Sequence, residues 1–258
     1  MKLALRMLGA VMLSGACMAQ TAAPPVSAPA ASAPTVATVE KQLAVAQAKL
    51  EDWAQLGRYR AENEAMPAPA AGEQRVVFYG DSITDGWGRR AGTGDFFPGN
   101  PYVNRGISGQ TTPQMVVRFH QDVVALKPKV VVILAGTNDV AENTGPMTPE
   151  MTLDNFRAMA EMAQANGIKV VICAILPAGE FSWHKGLEPA AKIRTLNEEL
   201  KAWCVSEGIV WVDYYTPLAD ASGAMKPGLS FDGVHPTAAG YAIMGPLAEA
   251  GIQKALGK

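Results

Sequence analysis

The chain has 258 residues and a formal net charge of −2. Its apolar fraction of 48% and charged fraction of 18% exclude a disordered chain, and its length provides about one ordinary domain with a full core. No Lys/Arg cluster gives the footprint of a nucleic-acid partner.

Lys2 and Arg6 precede an apolar, small-residue run from Met7 to Ala16, and Cys17-Met18-Ala19 has small-x-small form. Residues 1–19 therefore read as a secretory signal whose apolar run is too short to span a membrane. Leu13-Ser14-Gly15-Ala16-Cys17 also resembles a lipoprotein signal, although its Leu stands one place further from the cysteine than that pattern has it. The expected location is secreted or periplasmic, with a lipid anchor at Cys17 as the alternative. Residues 20–37, rich in Ala, Pro, Val, Ser and Thr, form a low-complexity tether that cannot build a core.

Over 38–67 the pattern turns helical. Leu43, Ala46, Leu50 and Trp53 recur at helical spacing, which predicts a helix packed on the domain and ended by Pro67-Ala68-Pro69. The domain proper, 72–258, alternates strands and helices. Strands are expected at 75–79, 102–104, 130–134, 170–175 and 209–212. Helices are expected at 112–126, 150–166 and 189–206, and from 236 to 256 with a break at Gly245-Pro246. Continuous apolar strands separated by helices imply an α/β fold with a parallel, five-stranded sheet covered on both faces. Cys173 and Cys204 lie in apolar stretches and read as buried free thiols, with a disulfide as the alternative.

The polar clusters fall at the carboxyl ends of these strands, where open α/β sheets gather their working groups. Gly80-Asp81-Ser82 follows the first strand, Asn104 to Thr112 the second, and Gly136-Thr137-Asn138-Asp139 the third; Asp232-Gly233-Val234-His235-Pro236 opens the last helix. Singly, each has a plain explanation as a turn, a cap or a surface histidine. His120 and His184 have no carboxylate at useful spacing and are read as structural.

Together the clusters supply the parts for acyl transfer. A serine hydroxyl needs a base, and His235 can serve Ser82. Asp232, three residues earlier across a glycine turn, can hold the other ring nitrogen. The backbone N–H groups of Ser82 and Gly109 and the side-chain amide of Asn138 can face an oxyanion, where one donor is worth about 3–4 kcal/mol of barrier. Gly109 is expected to be glycine because a close backbone approach leaves no room for a side chain. No second histidine at ligand spacing accompanies Asp81, Asp232 and His235, so neither a metal nor any other cofactor is expected.

These blocks resemble the SGNH hydrolases, or GDSL-type esterases, including a form similar to the catalytic subunits of platelet-activating-factor acetylhydrolase and their bacterial relatives. The likeness spans residues 75–256, about seven tenths of the chain, through Val77 to Thr84, Asn104 to Gly109, Ala135 to Asp139 and Asp232 to Pro236. It implies a flavodoxin-like, three-layer α/β/α sandwich. It further implies a Ser82–His235–Asp232 triad with an oxyanion hole of Ser82, Gly109 and Asn138, acting on short, acetyl-type esters. An acetylated carbohydrate is one candidate substrate. The larger α/β-hydrolases fit less well, because Thr84 stands where their nucleophile elbow has its second glycine. A longer acyl preference, as in a lysophospholipase or thioesterase, would use Trp87, Phe96, Phe97, Phe181 and Trp183 as pocket aromatics; packing is their alternative role. A binding module that keeps the cleft without chemistry is the remaining alternative.

Overall fold

Segments rich in β-branched and aromatic residues, and the more polar Tyr-Val-Asn-Arg-Gly of the second, form five short strands: β1 (Val76–Gly80), β2 (Tyr102–Gly106), β3 (Val130–Leu134), β4 (Lys169–Cys173) and β5 (Val210–Val212). The computed structural model describes residues 35–258. The expected signal, most of the tether and Cys17 lie outside the described residues. The chain divides after Leu43, within its first helix, and the sheet and the candidate site belong to the unit Ala44–Lys258. Among the described residues, no helix is long and apolar enough to cross a membrane.

All strands are parallel and pair in the order β2-β1-β3-β4-β5. Because side chains alternate, Val77, Tyr79, Val131, Ile133 and Ile172 face one layer, and Val76, Phe78, Val130, Val132 and Val171 face the other. The first layer packs against α4 (Thr112–Asp122), α6 (Pro149–Ala165) and α7 (Pro189–Ser206) through Met115, Phe119, Phe156, Met159 and Leu196. The second packs against α3 (Ser82–Gly86), α8 (Tyr215–Leu218) and α9 (Ala238–Ala255) through Ile83, Leu218, Met244, Ala248 and Ile252. The result is the expected three-layer α/β/α sandwich.

Two helices differ from expectation. The stretch read as one helix over 38–67 is α1 (Val36–Glu51) and α2 (Arg60–Ala65). The Asp52 carboxylate accepts hydrogen bonds from the Leu56 and Gly57 N–H groups at 2.7 and 2.9 Å, and Gln55 takes a left-handed φ of 54°, so the chain turns between them. Val45 and Leu50 on α1 are exposed, whereas Ala54 and Tyr59, after Asp52, are buried. The packing expected of a single helix therefore falls on the segment after Asp52. Conversely, α9 runs unbroken through Pro246. Its buried Met244, Ala248 and Ile252 flank the proline, and that packing outweighs the local loss of one backbone bond.

Candidate active site

In this strand order the direction of winding reverses between β1 and β3, which opens a crevice at their carboxyl ends. Ser82 is two residues beyond β1 and begins α3. Asn138 lies in α5 (Thr137–Val140), just beyond β3, after Gly136 turns the backbone with a φ of 103°. Gly109 lies in the loop after β2. Asp232 and His235 come from the loop before α9.

The structure brings three of these side chains into one hydrogen-bonded series. Ser82 Oγ is 2.9 Å from His235 Nε2, and His235 Nδ1 is 2.7 Å from Asp232 Oδ2. The second Asp232 oxygen accepts the backbone N–H groups of His235 and Val234 at 2.8 and 3.1 Å, and Gly233 makes the turn with a φ of 85°. Partial burial pushes the Asp232 carboxyl up, but the His235 backbone, the His235 ring and the Val234 N–H together outweigh it and hold the group below the usual carboxylate range. An ionised Asp232 fixes the proton on Nδ1, which turns the free lone pair of Nε2 toward Ser82.

Asn138 sits beside both other expected oxyanion donors. Its Nδ2 donates to the carbonyl of Gln110, next to Gly109, at 3.0 Å, and approaches Asp81 Oδ2, next to Ser82, at 3.3 Å. Gly109 is glycine for a reason other than the expected one. Nothing lies within 4 Å of where its Cβ would be, and its φ of 80° is the constraint. Close approach instead governs Gly80, whose Cβ would meet Thr84 and the Leu134 carbonyl, and Gly106, whose Cβ would meet the Thr84–Asp85 backbone.

The cap residue Asp81 is fully buried and accepts the Ile83 N–H at 2.9 Å. Burial, and secondarily the nearby Asp139, pushes its carboxyl up to about 7. Burial likewise pushes Asp139 up to about 6, opposed by its hydrogen bonds from Thr112.

Three residues near the site escape motif reading in whole or part. Arg118, fully buried, donates to the carbonyls of Gly80 and Arg105 at 3.0 and 2.9 Å, to Gln110 Oε1 at 2.5 Å and to Asp122 Oδ2 at 3.0 Å, so it ties together the ends of β1 and β2 and the loop that carries Gly109. Its only signal is the i,i+4 spacing to Asp122. Asn143 has no signal: its Nδ2 donates to Asn138 Oδ1 at 2.7 Å. Trp183, one of the aromatics considered for a pocket, donates Nε1–H to Asn143 Oδ1 at 3.0 Å, with its ring 6.3 Å from that of His235. The others pack elsewhere. Trp87, Phe96 and Phe97 cluster on Phe78, and Phe181 is buried beneath Trp183. His120 is exposed on α4, and His184 Nδ1 meets the Ala141 carbonyl at 2.7 Å; neither joins the site. Cys173 and Cys204 are free and buried in clusters on different faces of the sheet, and burial pushes both thiols up to about 12.

A Ser–His–Asp series at the switch point of a parallel sandwich has the geometry of a serine-dependent acyl hydrolase. The sequence pattern of the GDSL-like lipase/acylhydrolase family matches residues 78–243; the chain belongs to that family and is a carboxylic ester hydrolase. A crystal structure of a GDSL-like lipase from Bacteroides thetaiotaomicron VPI-5482 superposes with a TM-score of 0.75 at 46% identity, covering 78% of this chain and 98% of that one. An acetylxylan esterase of Geobacillus stearothermophilus is 29% identical over 199 residues, 66% of this chain and 90% of that protein. An uncharacterized lipoprotein of Bacillus subtilis strain 168 is 31% identical over 125 residues, 41% of this chain and 50% of that protein.

Proposed function

We propose that the protein is an exported serine esterase that removes short, acetyl-type acyl groups through an acyl-enzyme on Ser82. The observation that carries this reading is the Ser82–His235–Asp232 series, with contacts of 2.9 and 2.7 Å. Ser82 Oγ attacks the ester carbonyl carbon as its proton passes to His235 Nε2, and Asp232 stabilises the imidazolium. The Ser82 and Gly109 N–H groups and the Asn138 amide face the oxyanion. His235 then protonates the leaving alcohol. Water next attacks the acyl carbon, giving a proton to His235, and the carboxylic acid leaves as that proton returns to Ser82 Oγ.

The short-acyl preference is supported by the aromatic residues. Four of the five that would build a long acyl channel are engaged in packing, and Trp183 alone stands beside His235. An acetylated carbohydrate is the substrate class most in keeping with the acetylxylan esterase relative. Export is supported by the signal-like amino-terminal pattern, and the lipoprotein relative is in keeping with a lipid anchor at Cys17 as the alternative to free release. Turnover of p-nitrophenyl acetate by Ser82→Ala is expected to fall by about 10³-fold or more. Equal rates for wild type and variant would end the proposal, and a rate maximum at C8 or longer esters would end its acyl preference.

A further inference from the structure

The amide of Asn138 is useful to an oxyanion only if its nitrogen, not its oxygen, faces the reacting carbonyl. We propose that Trp183 and Asn143 set that polarity: they are positioning residues that act on the reaction through Asn138. The inference rests on the assignment of Asn138 as an oxyanion donor.

The indole at the surface end of the series has a fixed polarity, and the backbone carbonyl of Gln110 at the buried end demands the same orientation of Asn138. An indole N–H donates and cannot accept. Trp183 Nε1 lies 3.0 Å from Asn143 Oδ1, so Asn143 must turn its oxygen toward the indole and its NH₂ the other way. That NH₂ donates to Asn138 Oδ1 at 2.7 Å, so Asn138 in turn must present its oxygen to Asn143. Its Nδ2 is then left pointing between Gln110 O, at 3.0 Å, and Asp81 Oδ2, at 3.3 Å, on the side of Gly109 and Ser82. The same Asn143 nitrogen lies 3.4 Å from the carbonyl of Gly109, which ties the relay to the second backbone donor. Asn138 is buried and Asn143 exposed, so the relay carries the polarity of a surface indole to a buried amide. Phe181, fully buried with its ring 5.1 Å from that of Trp183, seats the indole at the start of the relay. Asn143 and Trp183 lie 40 residues apart on separate loops, and no sequence motif joins them.

The test is steady-state kinetics with p-nitrophenyl acetate on the full chain. Asn143→Asp replaces the donor to Asn138 with a second acceptor, and is expected to lower kcat by about 10- to 100-fold with KM within about twofold. Asn143→Ala is expected to cost about tenfold, and Trp183→Phe, which keeps a ring but loses the donor, less than that. In an Asn138→Ala background, Asn143→Ala is expected to add less than about twofold, because the group it orients is gone. An unchanged circular dichroism spectrum and melting temperature mark a folded variant; should Asn143→Asp not fold, Asn143→Ser and Trp183→Phe carry the same comparison. A wild-type kcat in these variants, a wild-type kcat in Asn138→Ala, or losses that multiply in the double variant would each overturn the relay. Loss of activity in Ser82→Ala alongside such results would leave the esterase reading standing, whereas full activity in Ser82→Ala would remove that reading itself.

Discussion

Gly106 and Gly109, three residues apart, are glycine for different physical reasons. At Gly106 the backbone of α3 passes so close that any Cβ would overlap the Asp85 nitrogen and the Thr84 carbonyl carbon, neither of which can yield without moving Ser82. At Gly109 there is open space and a φ of 80°. Gly109→Ala is therefore expected to fold and bind substrate, with strain of about 1–2 kcal/mol. That lowers the melting temperature by about 2–8 °C, and, on the proposed role of the Gly109 N–H as an oxyanion donor, reduces kcat as that N–H shifts. Gly106→Ala is expected to give no soluble folded protein. Thermal melting followed by circular dichroism, with p-nitrophenyl acetate kinetics on the soluble variant, checks both; a well-folded Gly106→Ala protein would contradict the close-approach argument. That Ser82, His235 and Asp232 would meet was legible at this scale because motif and spacing pair them. The different reasons for the two glycines, and the contacts of Asn143 and Arg118, were not. Backbone angle and side-chain polarity are set by neighbours far along the chain.

Strands and amphipathic helices were legible because burial imposes a period on the residues. The expected and observed β3 both span 130–134, and the helix expected at 189–206 is α7. Periodicity fails where a short polar side chain competes for backbone donors, as Asp52 does between α1 and α2. It also fails where packing overrides a breaker, as in α9. There Pro246 leaves the carbonyl of Ala242 without its helical donor, while the proline ring itself is exposed. Pro246→Ala is expected to restore that bond without disturbing the core. The gain is partly offset by the freer unfolded chain, for a net of about 1–2 kcal/mol. Differential scanning calorimetry should read this as a rise of about 2–8 °C; a fall would mean that α9 needs the bend its proline imposes.

For the whole molecule, building the site at the buried end of a parallel sheet has an electrostatic consequence. The sheet order places Asp81 and Asp139 beyond adjacent strands β1 and β3, where the layers exclude water from both. Burial raises their carboxyls to about 7 and about 6. In the unfolded chain both titrate near the ordinary value of about 3.9. The folded state therefore holds protons that the unfolded state releases. Their contribution to stability is complete below about pH 4 and declines as pH rises through about 6 and 7. Asp232 works in the opposite sense: its lowered value favours the folded state above the ordinary carboxylate range, and this is lost as pH falls through that lowered value. Between pH 5 and 8 the two buried acids dominate the change, so wild-type stability should decline across that interval. Asp81→Asn keeps an oxygen to accept the Ile83 N–H at 2.9 Å and cannot ionise. Its stability relative to wild type, from urea unfolding at pH 5, 6.5 and 8, is expected to improve steadily with pH. A difference that stays constant or shrinks would mean that Asp81 is ionised in the folded protein throughout, held by Ile83 and Asn138 against the cost of burial.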